Sequence, residues 1–178
     1  MVTCWLDVTD LPQSGRKIQY VFDIKAMNKE LGEFQLTAPL DFQGEAYKFN
    51  EEVILKGEIS SVLRLSCSRC LEYFSCPFHS EFILEYFPKG QEFLGEEKEL
   101  EEKDLAASYY TNNRIDLLAT VKEQTFLSIP IKPLCFYQCK GLCPQCGCNL
   151  NVTNCNCFTE KVDDRLLLLK KLKPNLGD

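Results

Sequence analysis

Eleven of the 178 residues are cysteine, at positions 4, 67, 70, 76, 135, 139, 143, 146, 148, 155 and 157. An odd total fits poorly with a fully paired disulfide framework, and such density in a reducing compartment reads as metal or redox chemistry. The compartment follows from the rest of the chain. No apolar run reaches the roughly 18 residues needed to cross a bilayer. Met1-Val2-Thr3-Cys4-Trp5-Leu6-Asp7 has no basic stretch followed by an apolar one, so the expectation is a cytoplasmic protein with no membrane segment. Hydrophobic residues make up 45% of the chain, which allows a conventional core. A metal is then needed only where that core does not reach.

Three clusters hold most of the sulfur: Cys67-Ser68-Arg69-Cys70, then Cys135-x3-Cys139-x3-Cys143-x2-Cys146-Gly147, then Cys155-Asn156-Cys157. Zinc favours four soft ligands in a tetrahedron, and a CxxC turn brings two sulfurs to one ion while backbone N–H groups point at them. Cys143-Pro144-Gln145-Cys146-Gly147 has this form, with Pro144 stiffening the turn and Gly147 able to take positive φ. Joining Cys143 and Cys146 to Cys155 and Cys157 closes a short local site. Cys135 and Cys139 then pair with Cys67 and Cys70, clamping the strand region to the C-terminal module. One or two structural zinc ions are the implied cofactor. An alternative shares the six C-terminal cysteines differently and leaves Cys67 and Cys70 without metal. Cys4 and Cys76 sit among apolar residues and read as small buried hydrophobes. Cys148 directly follows the second knuckle and is close enough in sequence to replace a neighbour.

Competing chemistries are less well served. A dithiol catalyst wants its first cysteine at a helix start, where the thiol pKa falls, whereas Cys67 follows a strand. Catalytic zinc keeps an open position and usually takes histidine or carboxylate ligands. The single histidine, His79, alternates with Phe78 and Phe82 in a strand-like run. No phosphate-cradling loop, nucleophile elbow or paired-carboxylate motif is present, so no catalytic residue is assigned.

The expected fold class is α+β: an antiparallel β-sheet or partial barrel, an amphipathic helix and a cysteine-rich, zinc-stapled C-terminal module. Residues 1–90 are the β-rich region. Arg16–Asp23 alternates, with Ile18, Tyr20 and Phe22 on one face; Val53-Ile54-Leu55 and Ile59–Leu65 flank Gly57-Glu58; Phe78–Phe87 ends at Pro88-Lys89-Gly90. Residues 91–114 are an acidic linker and connection. Residues 115–178 carry a helix over Asp116–Ser128 with Asp116 as N-cap and Pro130 beyond its end, the cysteine module, and a second helix from Asp163 or Asp164 to Leu172. The three regions are expected to form one integrated domain, with the Leu166–Leu169 run packed on the sheet. The net charge of −6 is uneven, since seven acids and two lysines crowd residues 92–104. Wrapping duplex nucleic acid needs a basic face that this composition does not supply. Lys170, Lys171, Lys173 and Arg69 are the local candidates for an RNA contact.

Five segments stand in a fixed order: Cys67-Ser68-Arg69-Cys70-Leu71, Ile115-Asp116-Leu117, Leu127-Ser128-Ile129-Pro130, Cys139 through Asn151, and Asp163-Asp164-Arg165-Leu166. This order resembles the YceD family, the large ribosomal RNA subunit accumulation proteins of bacteria and plastids, from the N-terminal strands through Leu172. The resemblance implies a non-enzymatic factor for large-subunit (23S) rRNA accumulation in ribosome biogenesis, with no small-molecule substrate. The implied partner is the large-subunit precursor or its proteins. The runner-up is a zinc-ribbon-like interaction module of another assembly, and the third reading is a thiol oxidoreductase.

Overall fold

A computed structural model describes residues 4–31, 34–89 and 108–157 of the chain. The acidic run Gln91–Lys103 lies outside them. So do the second helix expected from Asp163 or Asp164 to Leu172, its leucine run, and Lys170, Lys171 and Lys173.

The organising element is a 15-residue strand, β5 (Glu52–Ser66). Its odd-numbered residues Val53, Leu55, Ile59, Ser61, Leu63 and Leu65 are buried, while Lys56, Arg64 and Ser66 are exposed. That period of two is the signature of a strand with one covered face. β5 pairs antiparallel along its length with β6 (Tyr73–Pro88), and on its other edge with β4 (Leu40–Phe49). A two-residue turn with Asn50 at φ 56° joins β4 to β5, as asparagine permits. β2 (Arg16–Phe22) continues the sheet beyond β4, and the short β3 (Gln35–Leu36) pairs with the far end of β5. β7 (Ser108–Tyr110) runs parallel to β6 at Tyr86–Pro88.

The molecule is therefore α+β, and its six-stranded sheet stays open rather than closing as a barrel. It is mixed rather than purely antiparallel, because β7 lies parallel to β6. A separate two-stranded ribbon joins β1 (Trp5–Asp7) to β8 (Arg114–Asp116), so the first described residues pair with the chain just before the main helix. Asn112 and Asn113, both at positive φ, make the tight turn between β7 and β8.

The helix expected over Asp116–Ser128 is α2 (Leu117–Leu127), with Asp116 as its N-cap. The Asp116 carboxylate accepts hydrogen bonds from the N–H groups of Leu118 (3.0 Å) and Ala119 (3.2 Å). Leu117, Thr120, Val121, Gln124 and Thr125 form its buried face, with Leu118 partly covered. A hydrogen bond of 2.8 Å between the Tyr86 and Thr120 hydroxyls ties α2 to β6. The short α1 (Ile24–Leu31) was not expected from the sequence. Asp23 caps it by accepting from Lys25 N–H at 2.8 Å, and only Met27 and Leu31, one turn apart, are buried. Eight residues with two buried anchors give too short a period to stand out. Of the alternating trio in β2, Phe22 is buried and Ile18 packs partly on the core, but Tyr20 is exposed and leans on the Phe22 ring.

Val53–Leu55 and Ile59–Leu65 are not two elements: Gly57 and Glu58 sit inside β5. Gly57 lies opposite Gly44 on one side and Phe82 on the other. The rings of Phe42 and Phe82 stack across this pair, with centroids 6.3 Å apart and planes 15° from parallel. A Cβ on Gly57 would meet ring carbons of both at 2.7 Å. Glycine here makes room for aromatic packing and marks no turn. Gly57→Ala should destabilise the fold by about 1–3 kcal/mol through overpacking. Chemical denaturation checks this, and an unchanged midpoint would mean that the rings move aside freely.

Candidate metal centres

The inward parity of β5 runs past the end of the strand to Cys67, which is 0% exposed. Residues 67–72 then turn the chain into β6. Cys67 N–H donates to Glu72 C=O and Leu71 N–H to Cys67 C=O, both at 2.9 Å, with Leu71 at φ 62°. The second knuckle repeats this arrangement six residues for six. Cys143 N–H donates to Cys148 C=O at 2.8 Å and Gly147 N–H to Cys143 C=O at 2.9 Å, with Gly147 at φ 72°. Leucine occupies in one turn the left-handed position that glycine occupies in the other, although the αL conformation costs an ordinary residue about 1–2 kcal/mol.

The loop after α2 closes over the first knuckle. Ser68 N–H donates to Pro133 C=O (2.8 Å) and Leu142 N–H to Arg69 C=O (3.1 Å). The Arg69 guanidinium, a candidate RNA contact by sequence, donates to the carbonyls of Cys139 (2.8 Å) and Tyr137 (3.4 Å). Gly141 lets the two backbones touch: at φ 77° its missing Cβ would stand 3.0 Å from the Arg69 carbonyl oxygen.

These contacts bring together the sulfurs of Cys67, Cys70, Cys135 and Cys139, all within 4.8 Å of one another. Cys67 and Cys139 Sγ are 3.8 Å apart, and Cys70 and Cys135 Sγ 3.7 Å. A disulfide requires about 2.05 Å. The edge of a tetrahedron with metal–sulfur bonds near 2.3 Å is about 3.8 Å. The donor set and its spacing therefore fit a tetrahedral soft-ligand metal site. A second group, Cys143, Cys146, Cys155 and Cys157, also lies within 4.8 Å. The geometry thus joins Cys67 and Cys70 to Cys135 and Cys139, and leaves the local C-terminal four together.

The electrostatics of both groups favour a cation. Burial raises the Cys67 thiol, but the N–H groups of Cys70, Cys135 and Arg69 outweigh it and bring the pKa down to about 6. The N–H groups of Cys146 and Gln145 lower Cys143 to about 6 as well. Burial and neighbouring sulfurs push Cys135 up to about 12, and Cys146, with burial, does the same to Cys157. Each cluster so sets sulfurs whose ionisation is favoured beside sulfurs whose ionisation is opposed. A bound dication reverses that penalty and displaces the remaining protons.

Asn151 is the functional residue that sequence reasoning missed. Its side-chain N–H donates to Cys139 Sγ at 3.2 Å, while its carbonyl oxygen accepts from Lys140 N–H at 2.8 Å. An asparagine between the second and third cysteine groups carries no spacing signal, since only the folded loop reveals its target. Cys4 and Cys76 are half-buried and pack against the main core. His79 is exposed on β6, 3.5 Å from Glu81 and 3.9 Å from Glu58. Asn151→Leu removes the donor while keeping the bulk, and should weaken metal retention in the first cluster by roughly 10–100-fold. Competition with a chelator measures this, and equal retention would dismiss the amide's role.

Among the described residues no helix is long and apolar enough to cross a membrane. The chain is 23% identical over 158 residues to the Arabidopsis thaliana protein described as large ribosomal RNA subunit accumulation protein YCED homolog 1, chloroplastic. That match covers 77% of this chain but 49% of the plant protein, so the chain spans about half of that relative's length. It is also 26% identical over 163 residues to the uncharacterized protein YlbN of Bacillus subtilis (strain 168), covering 91% of this chain and 90% of that one. No solved structure matches. The family model described as large ribosomal RNA subunit accumulation protein YceD matches residues 55–173, from near the start of β5 through both cysteine knuckles. On that match over two thirds of its length, the chain belongs to the YceD family.

Proposed function

We propose that the chain is a non-enzymatic factor in the accumulation of large-subunit rRNA, with each cysteine cluster holding one structural zinc ion. Membership of the family described by that role carries the ribosomal part of the reading. The zinc part is supported by two all-sulfur groups, each within 4.8 Å, the first with edges of 3.7 and 3.8 Å that suit Zn–S bonds near 2.3 Å. Four sulfurs fill a tetrahedron and leave no position for substrate, which favours a staple over a catalyst. The partner is a large-subunit precursor or its proteins. Contact through protein suits a chain of net charge −6 better than wrapping of duplex RNA.

One observation also favours reading the cysteine module as an interaction surface. Leu71, Ile131, Tyr137 and Val152 are all well exposed on it, and Ile131 has its full surface in water. Exposed apolar side chains on a rigid, stapled loop suit a protein partner. This adds to the ribosomal role and does not compete with it.

Metal analysis of protein purified without added zinc should give close to two equivalents. Cys70→Ser should lose the equivalent held by the first cluster and loosen the loop after α2, seen as faster proteolysis there. A content near zero with freely titratable thiols would exclude zinc. Cells lacking the protein should show fewer large subunits relative to small ones and less mature large-subunit rRNA. Unchanged subunit profiles would move the chain to another assembly.

A further inference from the structure

The cover of the sheet stops short at one edge. On β5 the residues Leu55, Ile59, Ser61, Leu63 and Leu65 are buried. Their partners on the same face of β6, Leu84, Ser80, Phe78, Cys76 and Phe74, are all half-buried. Among the described residues β6 pairs beyond β5 only at Tyr86–Pro88, where β7 lies. Its outer edge from Tyr73 to Leu84 therefore carries backbone groups that no described strand meets. A long edge with an apolar side is a template for another strand.

The residues along that edge complement themselves. Pro77 has no N–H and sits in β6 by facing the open side, and the β5–β6 register runs without a bulge. The backbone groups of His79, Glu81 and Ile83, at even spacing from Pro77, face the same way. Set antiparallel to itself about a two-fold axis at Ser80, the strand places His79 opposite the partner's Glu81 and Glu81 opposite the partner's His79. On the core side Phe78 then meets the partner's Phe82, and on the outer side the 65% exposed Ile83 meets the partner's Pro77. Glu81 stands directly across from Glu58 on β5, a like-charge pair that is unfavourable by itself. The partner's His79 brings a hydrogen-bond donor to the other side of Glu81. Moving the axis to Glu81 would set two carboxylates face to face, and moving it to His79 would set Glu81 against proline. Ser80 is the centre that the charges select.

We propose that the chain forms a two-fold dimer by antiparallel pairing of β6 with β6 of a second copy, centred on Ser80, so that two six-stranded sheets join into one. The contact is isologous, with the same patch used by both copies. A foreign strand would have to reproduce the alternation of charge and aromatic ring that this edge already presents to itself. Pro77 withholds one donor on each side, and β7 takes over the edge at Tyr86, so the new ladder is short and its register is set by side chains. Pairing also covers the Phe78 and Phe82 rings that the core leaves half-buried. No metal takes part, and the dimer stands apart from the zinc and ribosomal readings.

Analytical ultracentrifugation of the full chain across micromolar concentrations should show a monomer–dimer equilibrium. His79→Glu sets carboxylates opposite each other at two symmetry-related places and should raise the dimer dissociation constant roughly tenfold. His79→Glu/Glu81→Lys restores opposite charges across the axis and should bring dimerisation back, with circular dichroism confirming that both variants fold. A wild-type chain that stays monomeric would overturn the proposal, whether hydrogen exchange finds the β6 edge bare or covered by the chain's own residues. A dimer indifferent to His79→Glu, or one that the double variant fails to recover, would also overturn it by placing the contact elsewhere.

Discussion

Two pairs of sulfur atoms, separated by 72 and 65 residues along the chain, meet at 3.8 and 3.7 Å, and the arrangement after α2 depends on that meeting. Residues 128–157 contain no helix and no strand longer than an isolated bridge. Their side chains contribute little to the main core: of the buried apolar set, only Cys139 and Cys143 come from this stretch. A segment that neither forms ladders nor buries much surface cannot offset its own ordering entropy, which runs to about 1–2 kcal/mol per residue for the backbone alone. On the zinc reading proposed above, sulfur convergence supplies the missing constraint, because a structural zinc site concentrates on the order of 10 kcal/mol on four side chains. The hydrogen bonds from Ser68, Arg69 and Leu142 set the loop's orientation, but none of them is buried deeply enough to hold it alone.

The sheet positions half of this site. Cys67 lies on the covered side because β5 alternates without a break from Val53 to Leu65, so a one-residue slip would turn its sulfur towards solvent. Register is protected in turn by the Gly44–Gly57 pair and the rings stacked over it, which accept no side chain at either position. Pro77 in β6 fits the same scheme. Among the described residues β6 pairs beyond β5 only at Tyr86–Pro88, so Pro77 has an edge on which to place its missing donor.

The parts of the fold that the sequence displayed are those written in local chemistry. Asp116 announced α2 because an N-cap needs an acceptor at that one position, and the CxxC pairs announced the knuckles because two sulfurs on a tight turn have few other uses. What stayed hidden depends on contacts between distant residues. Gly57 resembles a break until Phe42 and Phe82 are seen above it. Leu71 gives no sign of a left-handed turn, because only the hydrogen bonds from Cys67 and Leu71 impose it. Asn151 looks like an ordinary loop residue until the loop folds back on Cys139. The parallel seat of β7 beside β6 could not be read from three residues, since a strand that short carries no periodicity.

The two clusters are joined in series. Asn151 lies between the second knuckle and the last cysteines, yet its amide donates to a sulfur of the first cluster; Leu150 N–H donates to Gly141 C=O, the residue packed against Arg69. The second cluster is therefore built on a loop whose footing is the first. Disorder in the first would carry the second with it, because the Asn151 and Leu150 contacts would lose their partners. The dependence also runs back, since Asn151 and Leu142 reach the first cluster from the second loop, but Cys67 and Cys70 are seated by β5 and β6. Half of the buried cluster is thus carried by the sheet, which makes that cluster the anchor of the loop.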